Sequence, residues 1–185
     1  MPTHDASTGA RPGNVLALCG SLRAASTNAM LLRAARRLAP PGVAVQIFPN
    51  LGELPLFNPD LEARPPPAVT SLRAAVAGAD AMLIASPEYA HGITGVLKNA
   101  LDWLVSFEPF AEMRVAIFNA SPRSVHADAA LREVLLTMSA RIVADACLAL
   151  PLRATGATEQ FIVESEHAAA IRTAIGALLA TADSS

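Results

Sequence analysis

The sequence predicts an α/β fold, an open parallel sheet with helices on both of its faces. Three observations predict it. Strand-like and helix-like segments alternate about five times along the 185 residues. The runs at residues 15–19, 81–85 and 115–118 are apolar at every position, as in central strands covered on both sides. The first intervening segment, residues 28–38, gathers Met30, Leu31, Ala34, Ala35 and Leu38 on one helical face and Arg33, Arg36 and Arg37 on the other.

The elements follow in order. Residues 1–12, rich in Thr, Ser, Gly and Pro, read as a flexible tail, and residues 13–182 as a single domain. Pro40-Pro41-Gly42 stops the first helix. Residues 43–48 form a second strand, placed at an edge because Gln46 interrupts its apolar run. Residues 49–67 make a long proline-rich connection, expected to be a covering loop. A short helix at 68–77 ends at Gly78, and the strand at 81–85 empties into Ser86-Pro87-Glu88-Tyr89-Ala90-His91-Gly92. A helix is expected at 94–105, a strand at 114–118 ending in Asn119-Ala120-Ser121-Pro122-Arg123, and a helix at 128–140 with Leu131, Val134, Leu135 and Met138 on one face. The last strand is expected within 141–150. One C-terminal helix then buries Ala168, Ile171, Ile175, Leu178 and Leu179.

Composition narrows the function. At 52% hydrophobic and 16% charged the chain is globular, and its formal net charge of −2 gives no electrostatic reason to bind nucleic acid or a membrane surface. No segment is long and apolar enough to span a bilayer. Cys19 and Cys147 each sit in an apolar run without zinc-like spacing, so buried free thiols are expected. His4, His126 and His167 form no metal constellation. These features suit a reducing cytoplasm.

Two loops carry chemistry. After the first strand, Gly20 lets the chain turn, and Ser21, Arg23, Ser26, Thr27 and Asn28 offer hydroxyls, an amide and a guanidinium beside a helix N-terminus. These groups suit a mononucleotide phosphate. The dinucleotide fingerprint and the Gly-Lys-Ser/Thr triphosphate loop are both absent. The same residues also read as an ordinary loop with a serine N-cap and a surface arginine. In strand order 2-1-3-4-5 the first and third strands are neighbours whose connections leave in opposite directions, so the loops after them open one crevice.

The motifs Gly20-Ser21-Leu22-Arg23 with Ser26 and Asn28, and Ser86-Pro87-Glu88-Tyr89 with Gly92, Gly95 and Leu97-Lys98-Asn99-Ala100-Leu101-Asp102-Trp103, resemble the NADPH-dependent FMN reductase family. The resemblance runs from Asn14 to about Leu152. It implies a flavodoxin-like three-layer fold with a five-stranded parallel sheet and an FMN cofactor. Ser21, Arg23, Ser26, Thr27 and Asn28 would hold the FMN phosphate. Pro87, Glu88, Tyr89, Ala90 and His91 would line the isoalloxazine ring through backbone N–H groups, and Ser121 would touch its far side. The family is dimeric or tetrameric, so Lys98 and Trp103 are expected at an interface or, for Trp103, in the core. Ala90 stands where many members have Asn, and residues 121–126 replace a glycine-rich segment.

The implied activity is hydride transfer from NADPH or NADH to flavin N5 and on to a small acceptor such as a quinone, with no acid or base residue required. A second reading has reduced FMN released to a partner oxygenase, and a third is a flavodoxin-like electron carrier with no reductase activity. Glu88 reads either as an acid or base or, in preference, as a turn carboxylate. Arg123 reads as a phosphate contact or, by default, as an exposed arginine.

Overall fold

The computed structural model describes residues 13–152 and 158–180. The expected tail and the last residues of the expected domain lie outside them. A parallel sheet is built from β1 (Gly13–Cys19), β2 (Val43–Ile47), β3 (Ala81–Ala85), β4 (Arg114–Asn119), β5 (Arg141–Ile142) and β6 (Leu148–Ala149), in the order β2-β1-β3-β4-β5 with β6 also on β4. The helices are α1 (Thr27–Leu38), α2 (Pro67–Ala77), α3 (Gly95–Asp102), α4 (Val125–Thr137), α5 (Glu159–Glu164) and α6 (His167–Leu179).

Alternation along each central strand divides the core in two. Val15, Ala17, Leu83, Ala116 and Phe118 pack with Leu31, Ile162, Ile171 and Ile175 of α1, α5 and α6. Leu16, Leu18, Met82, Ile84, Val115 and Ile117 pack on the opposite face with Leu72, Leu101, Leu131 and Leu135 of α2, α3 and α4. The expected three-layer arrangement is therefore present, with β2 at the edge and Gln46 exposed. In α1 the apolar face includes Leu32 as well as the expected residues, while Met30 is half-buried.

The expected fifth strand is two short pieces instead. β5 pairs with Arg114 and Val115 of β4, and β6 pairs with Phe118 and Asn119, so both lie on the same side of β4. A single 3-10 turn at Ala144–Ala146 lifts the chain off the ladder between them. There the Ile117 N–H donates to Cys147 Sγ at 3.4 Å, so the thiol stands in for a missing carbonyl. Cys147 and Cys19 are both free and half-buried, less enclosed than expected.

Two further expectations are corrected. The single C-terminal helix is broken at Ser165, which leaves helical geometry at ψ 170° and whose Oγ accepts the His167 N–H at 3.2 Å. The proline-rich connection covers α3 and contributes nothing to the cleft described below. Its Pro55 carbonyl accepts Trp103 Nε1–H at 2.8 Å and Asn99 Nδ2–H at 3.0 Å, and Phe57 meets the Trp103 ring edge-on at 5.0 Å. Trp103 is thus a core residue, fully enclosed within this chain.

Candidate active site

At the carboxyl end of the sheet lies a cleft of about 630 Å³. Thr27 and Asn28 at the start of α1, residues 86–88 after β3, residues 119–124 after β4, and Pro151 and Leu152 after β6 form its wall. The convergence follows from pairing. Cys19 sits opposite Ala85 in the β1/β3 ladder, so the two chains leave the sheet side by side. The Gly20 N–H donates to the Ala85 carbonyl at 2.8 Å. A Cβ on Gly20 would lie 2.2 Å from Ser86 Oγ and 3.1 Å from Ser86 Cα. Close approach of the two exits therefore requires this glycine. The expected need for an unusual turn is corrected, because Gly20 is not in the left-handed region.

Within the loop after β1, Ser26 is the N-cap of α1, its Oγ accepting the Ala29 N–H at 3.3 Å. Thr27 and Asn28, in the first helical turn, face the cleft. Asn28 is only 7% exposed, and its Oδ1 has no hydrogen-bond partner among the described residues. A buried acceptor left this way is costly unless a ligand supplies a donor. Ser21 Oγ accepts the Arg23 N–H at 3.4 Å, and Arg23 itself is exposed. Ser21, Arg23 and Ser26 stand behind or beside the cleft lining, so two of the five residues predicted here reach its wall directly.

In the loop after β3, Pro87 and Glu88 line the cleft. Tyr89 and Gly92 exchange backbone hydrogen bonds of 3.1 and 3.0 Å across Ala90 (φ 49°) and His91 (φ 59°). Two left-handed central residues mark a tight turn of the primed type, which ordinarily takes Asn and Gly. Tyr89, Ala90 and His91 extend beyond the lining into solvent, with Tyr89 58% exposed.

Glu88 bridges this loop to α4. Its Oε2 accepts the backbone N–H groups of His126 and Ala127, each at 3.0 Å, which are unpaired donors in the first turn of that helix. Its Oε1 lies 3.2 Å from His91 Nδ1, and its side chain is 15% exposed. The Ala127 N–H first, with the His126 N–H and imidazole and the His91 ring also contributing, holds this carboxyl below the usual carboxylate range against the opposing effect of desolvation. The ionised carboxylate favours the positive end of the helix dipole. His91 and His126 meet edge to face at 4.4 Å between ring centres. The preferred reading of Glu88 as a turn carboxylate is extended here, since its partners lie on another element.

After β4, Asn119 Oδ1 accepts the Ser121 N–H at 2.9 Å, and Asn119 Nδ2 donates to the Ser124 carbonyl at 3.4 Å. The Ser124 N–H donates back to the Ser121 carbonyl at 2.9 Å. Ser121 lines the cleft as expected, and Pro122 and Arg123 at the tip of the turn line it too. Ser86, residues 119–120, residues 122–124, Pro151 and Leu152 are the lining residues that sequence reasoning left out of the site. The Asn-x-Ser-Pro run was a readable sign of an ordered turn.

The cleft wall carries hydroxyls, the amides of Asn28 and Asn119, the Glu88 carboxylate and the Arg123 guanidinium among apolar groups of Pro87, Pro122, Pro151 and Leu152. Among the described residues no cluster of three or more His, Cys, Asp or Glu could hold a metal. Its volume lies in the range of small-ligand sites. The helix N-terminus at Thr27 with the orphaned Asn28 Oδ1 fits a ligand carrying both a phosphate and hydroxyl groups, as FMN does.

A sequence model described as NADPH-dependent FMN reductase matches residues 14–155. An NAD(P)H-dependent FMN reductase of Pseudomonas aeruginosa is 42% identical over 110 residues, covering 58% of this chain and 59% of that protein. A quinone reductase of Escherichia coli strain K12 is 32% identical over 136 residues, covering 70% of this chain and 72% of that one. Among solved structures, the flavoenzyme NAD(P)H:(acceptor) oxidoreductase FerB of Paracoccus denitrificans superposes with a TM-score of 0.74 at 24% identity, over 90% of this chain and 95% of that one, and so shares the fold. Because the family match starts within β1 and continues past the last strand, it takes in all the loops that build the cleft, and the chain belongs to the NADPH-dependent FMN reductase family.

Proposed function

We propose that the protein is an FMN-dependent oxidoreductase that takes a hydride from NADPH or NADH and passes two electrons to a small acceptor of quinone type. The observation that carries this reading is the convergence of the β1, β3 and β4 exits on one cleft whose wall holds a buried, unpartnered Asn28 Oδ1. FMN, when bound there, supplies a ring that accepts a hydride and returns the electrons to an acceptor.

The chain's own residues bind and orient. Ser26, Thr27 and Asn28 present the N-terminus of α1 to the phosphate, with Ser21 and Arg23 closing on it from the preceding loop. Pro87, Glu88 and Ser121 line the space for the ring, with Tyr89, Ala90 and His91 at its solvent side. Glu88 fixes the separation of those two walls through its hold on α4. Pro87, Pro122 and Leu152 exclude water from the cleft sides. The same reading includes a homodimer or homotetramer in a reducing cytoplasm. Trp103, being enclosed, takes no part in that contact, while Lys98 on the α3 surface pairs with Asp102.

Titrating the purified protein with FMN, followed by flavin fluorescence, and then adding NADPH or NADH without oxygen tests the reading. The expected result is saturable binding and loss of the flavin's visible absorbance with the nicotinamide donor. Saturable binding without bleaching would identify an electron carrier. Absence of binding would remove FMN from the cleft.

A further inference from the structure

Arg123 stands at the tip of the turn after β4, in the cleft wall, and the backbone that carries it is held on both sides. Asn119 binds the Ser121 N–H and the Ser124 carbonyl before and after the tip, and Glu88 holds the N–H groups of His126 and Ala127 just beyond. A side chain on so constrained a turn loses little further backbone freedom when it engages a ligand.

Its charge is uncompensated. Arg33, Arg73, Arg132 and Arg141 each face a carboxylate within 4 Å; Arg123, like Arg23, has no carboxylate partner among the described residues, and it is the arginine that lines the cleft. The nearby acids are engaged elsewhere, Glu88 with the two N–H groups and Asp128 with Arg132 at 2.7 Å. The complement of an unpaired guanidinium in a cleft is an anion from solution.

The phosphate position at α1 follows β1, and Arg123 follows β4, with β3 between them in the sheet. Two strand spacings, about 10 Å, therefore separate the exits of those two strands. The reaction brings a second anionic ligand, the nicotinamide dinucleotide, with a diphosphate and, in NADPH, a third phosphate. We propose that Arg123 binds a phosphate of this hydride donor. The proposal rests on the oxidoreductase reading above, and the residue belongs to the segment in which this chain departs from its family's glycine-rich sequence.

Three measurements on FMN-loaded Arg123→Ala and Arg123→Lys test it: FMN affinity, NADP+ affinity by calorimetry, and the KM for NADPH and NADH. Arg123→Ala should weaken NADP+ binding and raise the NADPH KM about tenfold, the scale of one exposed charge-assisted contact. Its FMN affinity should fall by much less than its NADP+ affinity, and Arg123→Lys should recover part of the loss. An equal rise in the NADH KM assigns the contact to the diphosphate, and an unchanged NADH KM assigns it to the additional phosphate. Unchanged NADP+ affinity and KM values, or a loss of FMN affinity as large as the loss for NADP+, would overturn the proposal. Wild-type protein that NADPH does not bleach would instead overturn the reading beneath it, which separates the two failures.

Discussion

The segment after β1 is bonded mostly to its own neighbours, Ser21 to the Arg23 N–H and Ser26 to the first turn of α1, whereas the segment after β3 is fastened to another element by Glu88. The first segment keeps an acceptor unsatisfied on Asn28 and leaves Arg23 exposed. The second uses its carboxylate to satisfy two helix N–H groups and holds two non-glycine residues in left-handed backbone. The contrast divides the work of the site. In the proposed reading one wall, with Asn28 Oδ1 left unpaired, receives the ligand, and the other, tied to α4 through Glu88, braces the opposite side. The two walls touch at Gly20 and Ser86, where there is no room for a methyl group.

Forcing that contact apart should have the largest effect. Gly20→Ala is expected to cost about 1–3 kcal/mol of stability through overpacking, read from the denaturation midpoint, and to lower FMN affinity in the same protein. Wild-type stability in this variant would mean that the exits are not held together.

Releasing the brace should come next. Glu88→Ala should weaken FMN binding, and Glu88→Gln, which keeps the shape and loses the charge, should recover only part of it. The pH dependence has a definite sign. Because the folded state holds this carboxyl below its ordinary range, its contribution to stability is complete above the ordinary value and is lost as the pH falls through the lowered one. Melting temperature followed from neutral to acid should therefore fall less steeply in Glu88→Gln than in wild type. Parallel curves would show that the carboxylate is not the brace.

On the receptor wall, Arg23→Ala should weaken FMN binding by about 1.5 kcal/mol, the low end for a charge-assisted contact, because the side chain is exposed. An unchanged dissociation constant would leave Ser26, Thr27 and Asn28 as the phosphate site without it. The smallest effect belongs to the turn of the brace. Ala90→Asn should raise stability by roughly 0.5–1 kcal/mol, since Asn accepts left-handed backbone more readily than Ala. A lower denaturation midpoint would show that Ala90 is favoured there for its packing.

The central strands were legible because burial on both faces leaves no polar position in β3 and almost none in β1 and β4. The cap Ser26 marked where α1 begins. β5 and β6 were not legible as separate strands, because two residues are too few to show a period. The site was readable in proportion to how local its bonds are. Ser26, Thr27 and Asn28 announce a helix start on their own. The partners of Glu88 lie 38 and 39 residues away, so nothing near Glu88 in the chain names them. Arg123 is an ordinary surface arginine by sequence and becomes a cleft residue only when the turn after β4 is seen beside α1 and β3.

The most direct test of the two-walled cleft is a crystal structure of the protein grown with FMN. The phosphate should lie within hydrogen-bonding distance of Ser26 or Thr27 at the head of α1, with Asn28 Oδ1 taking a donor from the ligand and the ring lying between residues 87–91 and Ser121. FMN bound with its phosphate away from α1, or with its ring outside the space between the β3 and β4 exits, would contradict the account.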